Sequence, residues 1–200
     1  MKIIISFCLT LIILLGSAGC DESPSFEKSM DAAKSADYVT AVRHWKPLAE
    51  GGNYAAQRYL GLAYISGEGV PQDFKTAQKW LRLAAEQGDA ESQYYLGVMY
   101  ENRWGVKPKD TKTQLKWYTL AAEKGYAAAQ SKLGEMYVFG DGIVQDYVYA
   151  YMWVELAAAQ GNESGKNWKD SEIFKKMTPS QLETAKKLAR ECVLKKYKGC

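Results

Sequence analysis

The sequence predicts an all-α fold, a right-handed α/α superhelix of stacked helix pairs, on three observations. A motif recurs three times at a spacing of 36 or 37 residues, apolar and small residues within each copy fall at helical intervals, and glycines punctuate each copy at its middle and its end. Residues 53–88 set against 126–161 without a gap are identical at 17 of 36 positions, far above chance for unrelated segments. A period in this range marks a solenoid, in which each unit buries its apolar face only by stacking on its neighbours.

Residues 1–19 stand outside that pattern. Lys2 precedes the apolar run Ile3–Leu15, too short for a comfortable membrane span, and Gly-Ser-Ala-Gly-Cys follows, as in a bacterial export signal. Cys20 resembles the lipidated cysteine of bacterial lipoproteins. Ala18 and Gly19 match the small residues expected before it, whereas Ser17 stands where leucine is usual. Cleavage after Ala18 by the ordinary signal peptidase is the competing reading. Lipidation implies a periplasmic protein held to a membrane through Cys20, and Asp21 resembles an inner-membrane retention signal. Residues 20–36 read as a short tether passing into a first helix over 24–35.

Residues 37–52 form a degenerate half repeat, with Asp37, Ala41, His44, Leu48, Ala49 and Gly52 in register with Asp73, Ala77, Trp80, Ala84, Ala85 and Gly88. The first full repeat, 53–88, opens with a helix carrying Gln57, Leu60, Gly61 and Tyr64 on one stripe. Gly67 and Gly69 then end it, Asp73 is placed to cap a second helix, and Gly88 stops that helix near Gln87. Ala77, Trp80, Ala84 and Ala85 face inward. Glycine at the same mid-helix place in all three copies, a position it normally disfavours by about 1 kcal/mol, points to close helix packing.

The second repeat, 89–125, departs in three places: Arg103 replaces the first loop glycine, Gln114 replaces the alanine, and one residue is inserted among Lys107–Lys109. A distorted loop is expected there. The third repeat, 126–161, keeps the full pattern, and Trp80, Trp117 and Trp153 are expected to be buried alike. In the C-terminal cap, 162–200, Thr178-Pro179-Ser180-Gln181 is a capping box that opens a last helix from Pro179 to about Lys195.

The string AQ-x-x-LG-x-x-Y-x-x-G-x-GV-x-x-D, followed by A-x-x-W and AA-x-x-G, resembles the Sel-like repeat (SLR) family, longer relatives of the tetratricopeptide repeat. The resemblance is strong over residues 53–161, and the closing Met-Thr-Pro-x-Gln helix is similar to the ends of many such proteins. It implies an adaptor that binds another protein or peptide in a concave groove lined by the first helix of each unit. Outside the packing stripe those helices carry Arg58, Tyr59 and Leu62, then Tyr94, Tyr95 and Val98, then Lys132 and Glu135. Aromatic and arginine side chains of this kind often dominate protein interfaces. The resemblance also implies two narrower alternatives, an immunity protein against a periplasmic toxin and a β-lactam-binding or hydrolysing cysteine-rich protein.

Cys8 leaves with the export signal and a lipidated Cys20 removes a second cysteine, so Cys192 and Cys200 remain as a pair. Eight helical residues would part their α-carbons by about 12 Å, so a disulfide requires the helix to end before Gly199. The chain carries 26 basic against 23 acidic residues, which with export argues against nucleic acid. His44, the sole histidine, occupies a tryptophan's place, and no metal-ligand pair, P-loop or nucleophile motif accompanies it. Asp73, Asp110 and Asp146 recur as helix caps rather than as catalytic carboxylates. The sequence thus points to binding rather than to an enzyme, with no cofactor and no metal.

Overall fold

The structure, a computed structural model, describes residues 25–106 and 110–200. The export signal, Cys20, Asp21 and the insertion among Lys107–Lys109 lie outside the described residues. Those described form α-helices and connecting turns, with no strand among them. Helices α1 (Phe26–Lys34) and α2 (Tyr38–Glu50) make the degenerate N-terminal pair. The three repeats follow as α3 (Tyr54–Ser66) with α4 (Phe74–Glu86), α5 (Ala90–Asn102) with α6 (Thr111–Ala122), and α7 (Ala127–Phe139) with α8 (Tyr147–Ala159). The short α9 (Glu163–Lys169) and α10 (Glu172–Lys175) lead to α11 (Pro179–Leu194), which packs on α8. Each helix otherwise packs chiefly on its sequence neighbours, as in an α/α solenoid.

Each repeated residue has a definable task. A Cβ added at Gly61, Gly97 or Gly134 would come within 2.7 Å of Leu81, 2.4 Å of Tyr118 or 2.6 Å of Val154, so only glycine lets the two helices of a pair approach this closely. The second loop glycine seats each repeat on the one before. Gly69, Gly105 and Gly142 all have positive φ, and an added Cβ would lie 2.3, 3.0 and 3.0 Å from the backbone of Tyr38, Phe74 and Thr111. Those three residues open α2, α4 and α6, directly after the aspartates that cap them. Asp37, Asp73, Asp110 and Asp146 each accept backbone N–H bonds in the first turn of α2, α4, α6 and α8.

The buried Gln57, Gln93 and Gln130 knit units together: each Nε2 donates to the carbonyl of Ala49, Ala85 or Ala122 at the end of the preceding pair, at 3.0, 3.0 and 3.2 Å. Gln87 and Gln160 in turn donate to the Oε1 of Gln57 and Gln130, at 2.8 and 2.7 Å. The corresponding residue of the second repeat is Lys124, and the buried Gln93 Oε1 has no protein partner.

One expectation is corrected. Trp117 and Trp153 are buried, but Trp80 is only half-buried, because its ring packs against the edge of the N-terminal core cluster rather than inside a core. The second loop, where distortion is expected, is described only in part, and that part keeps the backbone geometry of the other loops. Arg103 takes the left-handed conformation, φ 59°, of Gly67 and Gly140, φ 80° and 69°. Keeping it there costs a non-glycine residue roughly 1–2 kcal/mol.

At the C-terminus the capping box is formed and α11 ends at Leu194. Left-handed Lys196, Tyr197 and Gly199 then fold the tail back, which brings the α-carbons of Cys192 and Cys200 to 5.4 Å with a disulfide between them. The tail also reaches the second repeat: the Tyr197 ring leaves no room for a side chain at Gly125, and the Gly199 N–H donates to Glu123 at 3.3 Å.

Candidate protein-binding clefts

The first-helix residues expected to face a partner divide into three groups. Arg58 and Tyr94, adjacent in helical register to the outward positions, are used for packing instead. Arg58 donates to Asp89 at 2.6 Å and pairs with Glu91 at 3.2 Å, its side chain only 17% exposed. Burial alone would lower its pKa, but the two carboxylates hold it above the usual arginine value. Asp89 also caps α5 by accepting from Ser92 N–H, so this ion pair fixes the second repeat to the first. Tyr94 sits among the rings of Tyr95, Tyr118 and Tyr126, with centroids 5.2–5.8 Å away, and burial raises its phenol pKa. Val98 packs against the same core cluster. These three residues join repeats and line neither cleft described next.

Tyr59, Leu62 and Tyr95 do come together. With Tyr38, Trp45 and Ile65 they line an apolar cleft of about 420 Å³ between the N-terminal pair and the first two repeats. Tyr59 is held in place by stacking on Trp45, centroids 5.3 Å apart and planes 15° apart, with Phe26 beyond it. The guanidinium of Arg58 lies 5.0 Å from its ring centroid. The cleft therefore presents rigid aromatic faces whose rotamers are already fixed, which limits the entropy lost on binding.

Lys132 and Glu135 lie in a second cleft, of about 390 Å³, with Glu101, Gln114, Tyr118, Met136 and Phe139. This is the same inter-repeat hollow two units along: Lys132, Glu135 and Tyr118 take the register positions of Tyr59, Leu62 and Trp45. Lys132 Nζ donates to Glu101 at 2.7 Å and lies 3.4 Å from Glu135. Burial alone would lower the Lys132 pKa, but the bonds to both carboxylates carry it above the usual lysine value. The Tyr118 hydroxyl donates to Glu101, and burial first, then this bond, keeps the phenol protonated far beyond its usual range.

Glu101, Gln114 and Tyr118 were not expected at a site. Comparison down the columns carries the signal. Ile65, Ala77 and Leu81 in the first repeat, and Val138, Ala150 and Val154 in the third, become Glu101, Gln114 and Tyr118 in the second. Only the middle unit makes all three core positions polar. Among the described residues no group of histidine, cysteine or acidic side chains could hold a metal ion, and no helix is long and apolar enough to cross a membrane.

The Sel1 repeat family model matches residues 55–89, 90–126 and 127–162. Among solved structures, a Sel1 repeat protein from Oxalobacter formigenes is 42% identical, with a TM-score of 0.58, over 62% of this chain and 93% of that one. A protective antigen of uropathogenic Escherichia coli with an SLR fold is 28% identical, with a TM-score of 0.54, over 86% of this chain and 45% of that one. Cysteine rich protein B of Helicobacter pylori, 23% identical with a TM-score of 0.50 over 70% of this chain and 94% of that one, shares the fold. No curated protein sequence matches the chain.

Proposed function

This chain belongs to the Sel1 repeat family, whose fold is generally a protein-interaction scaffold, and from that premise we propose that it is a non-enzymatic, envelope-anchored adaptor that captures a protein segment in its inter-repeat clefts. The observation that carries the reading is the apolar cleft: Tyr59, Leu62 and Tyr95, on two different repeats, meet Tyr38 and Trp45 to wall one hollow. Aromatic walls with fixed rotamers suit a large apolar side chain of a partner, which anchors binding while the surrounding residues exclude water. A crosslinked pull-down from native envelopes tests it. Leu62→Glu, placing a charge in the cleft without touching the stacked rings, is expected to lose the partner while the melting temperature holds. Retention of the same partner by that variant would put the site elsewhere.

The tethering half of the proposal is supported by Ser17-Ala18-Gly19-Cys20 following a short apolar run, with Asp21 favouring the inner membrane. A disulfide between Cys192 and Cys200 is in keeping with an oxidising compartment. Cys20→Ser is expected to move the protein from the membrane to the periplasmic fraction. Equal fractionation of variant and parent, with no lipid adduct by mass spectrometry, would remove the anchor from the proposal.

A further inference from the structure

We infer that the polar cleft of the second and third repeats is a receptor for a basic side chain, lysine or arginine, of the captured segment; this rests on the reading of the chain as a segment-binding scaffold. Three carboxylates line the cleft, Glu101, Glu135 and Asp141, and the first two share a single ammonium, Lys132, at 2.7 and 3.4 Å. Glu101 also accepts from Tyr118. Glu101 and Glu135 are each about one-third exposed, but Glu135 makes only the longer contact to Lys132, so it is the freer of the two to meet an incoming cation.

A second observation, independent of the carboxylates, points the same way. Gln114 forms part of the same wall and is 4% exposed, yet its buried Oε1 has no hydrogen-bond partner. A buried acceptor left unsatisfied costs roughly 1–3 kcal/mol, and the other repeats avoid the cost by placing Ala77 and Ala150 there. A donor-rich guest would supply the missing bond: an ammonium has three N–H donors and a guanidinium five, and neither has an acceptor. The mouth suits the rest of such a side chain. Phe139 is 63% exposed at the rim, beside Met136, and offers an apolar surface for the aliphatic stem and a ring face for the cation. An acidic or purely apolar guest finds no such complement, since the one cation lining the cleft, Lys132, is already engaged by Glu101 and Glu135.

The probe is a set of immobilised ten-residue peptide pools, each with one residue type fixed at the centre and the rest degenerate, exposed to the labelled full chain in mild detergent. Pools fixed as lysine or arginine are expected to retain at least ten-fold more protein than pools fixed as glutamate or norleucine. Glu135→Gln and Gln114→Ala should each remove that excess without lowering the melting temperature, and the signal from pools fixed as tryptophan or phenylalanine should stay in place. Glu135→Lys should turn the preference toward glutamate. If basic pools show no excess, or the excess survives both neutralising changes, the inference is wrong. The scaffold reading stands in that case provided aromatic pools still bind and Leu62→Glu abolishes them. If no pool binds, both fail.

Discussion

The two clefts are one hollow built twice from the same register positions, and they differ in chemistry almost completely. In the first, Tyr59, Leu62 and Trp45 make an apolar wall held by ring stacking, with only the buried Trp45 Nε1 left unpartnered. In the second, Lys132, Glu135 and Tyr118 occupy those places, and the wall consists of ion pairs, a phenol and an amide with an unpartnered oxygen. The frame that holds them is unchanged: the same mid-helix glycines, the same loop glycines seated on the preceding pair, the same aspartate caps. A repeat fold therefore separates scaffold from specificity by column, because a residue that clamps neighbouring helices cannot vary while a residue on the hollow's wall can. Among the three repeats, the middle one carries most of the unfavourable local choices, among them left-handed Arg103, orphaned Gln93 Oε1 and buried Gln114. Local rules are most often broken at functional sites, which is where the polar cleft lies.

Removing the shared frame should abolish the contrast. Trp117, 6% exposed, packs its second-repeat helix onto Ala77, Leu81 and Ala85 of the first, so it supports the clefts on both sides. Trp117→Ala is expected to lower stability by about 3–5 kcal/mol in denaturant titration, and a loss under 1 kcal/mol would refute that role. The next effect distinguishes the clefts. Gln114→Ala gives the second repeat the residue of the first and third, and it should raise stability by about 1 kcal/mol through removal of the unpartnered amide. A clear loss would mean that the amide is satisfied in the free protein.

Arg103→Gly should also stabilise, by about 1 kcal/mol, since glycine takes the left-handed conformation without the steric cost. The same change at a right-handed helical position would do the reverse, so the sign of the measured difference tests the backbone geometry. The smallest effect is a pH dependence. Lys132 has a folded pKa above its ordinary value of 10.5, so its ion pairs stabilise fully below that pH and the contribution is lost as pH rises through the folded value. Parent stability should therefore fall more steeply above pH 10.5 than that of Lys132→Met. Parallel profiles would show that the Lys132 pairs add nothing net.

Much of the frame was legible in the sequence. Gly61, Asp73 and Gly69 have tasks set by local geometry, and recurrence at a fixed spacing reveals such tasks directly. The clefts were legible only in part. Tyr59 and Tyr95 were expected along one groove and do line one, yet their neighbours Arg58 and Tyr94 turn into the repeat interfaces. Adjacent helical residues point about 100° apart, and which of them meets the next unit depends on how far the helices are rotated against each other. Asp89, the partner that claims Arg58, lies 31 residues away. Glu101, Gln114 and Tyr118 were missed because each stands in a column that the other repeats devote to packing, so the motif itself directed attention away from them.

The backfolded tail changes how the stack can come apart. A chain of units that touch only their neighbours frays from either end with similar ease. Here Tyr197 and Gly199 lie on Gly125 and Glu123 of the second repeat, so the C-terminal end is fastened across the third repeat rather than merely to it. Unzipping from that end must first release a contact made a whole unit away. Partial opening is thereby biased toward the N-terminal side, beside the apolar cleft. That cleft can breathe to admit a bulky side chain while the polar one stays clamped in register, and amide exchange should run fastest at the N-terminal pair.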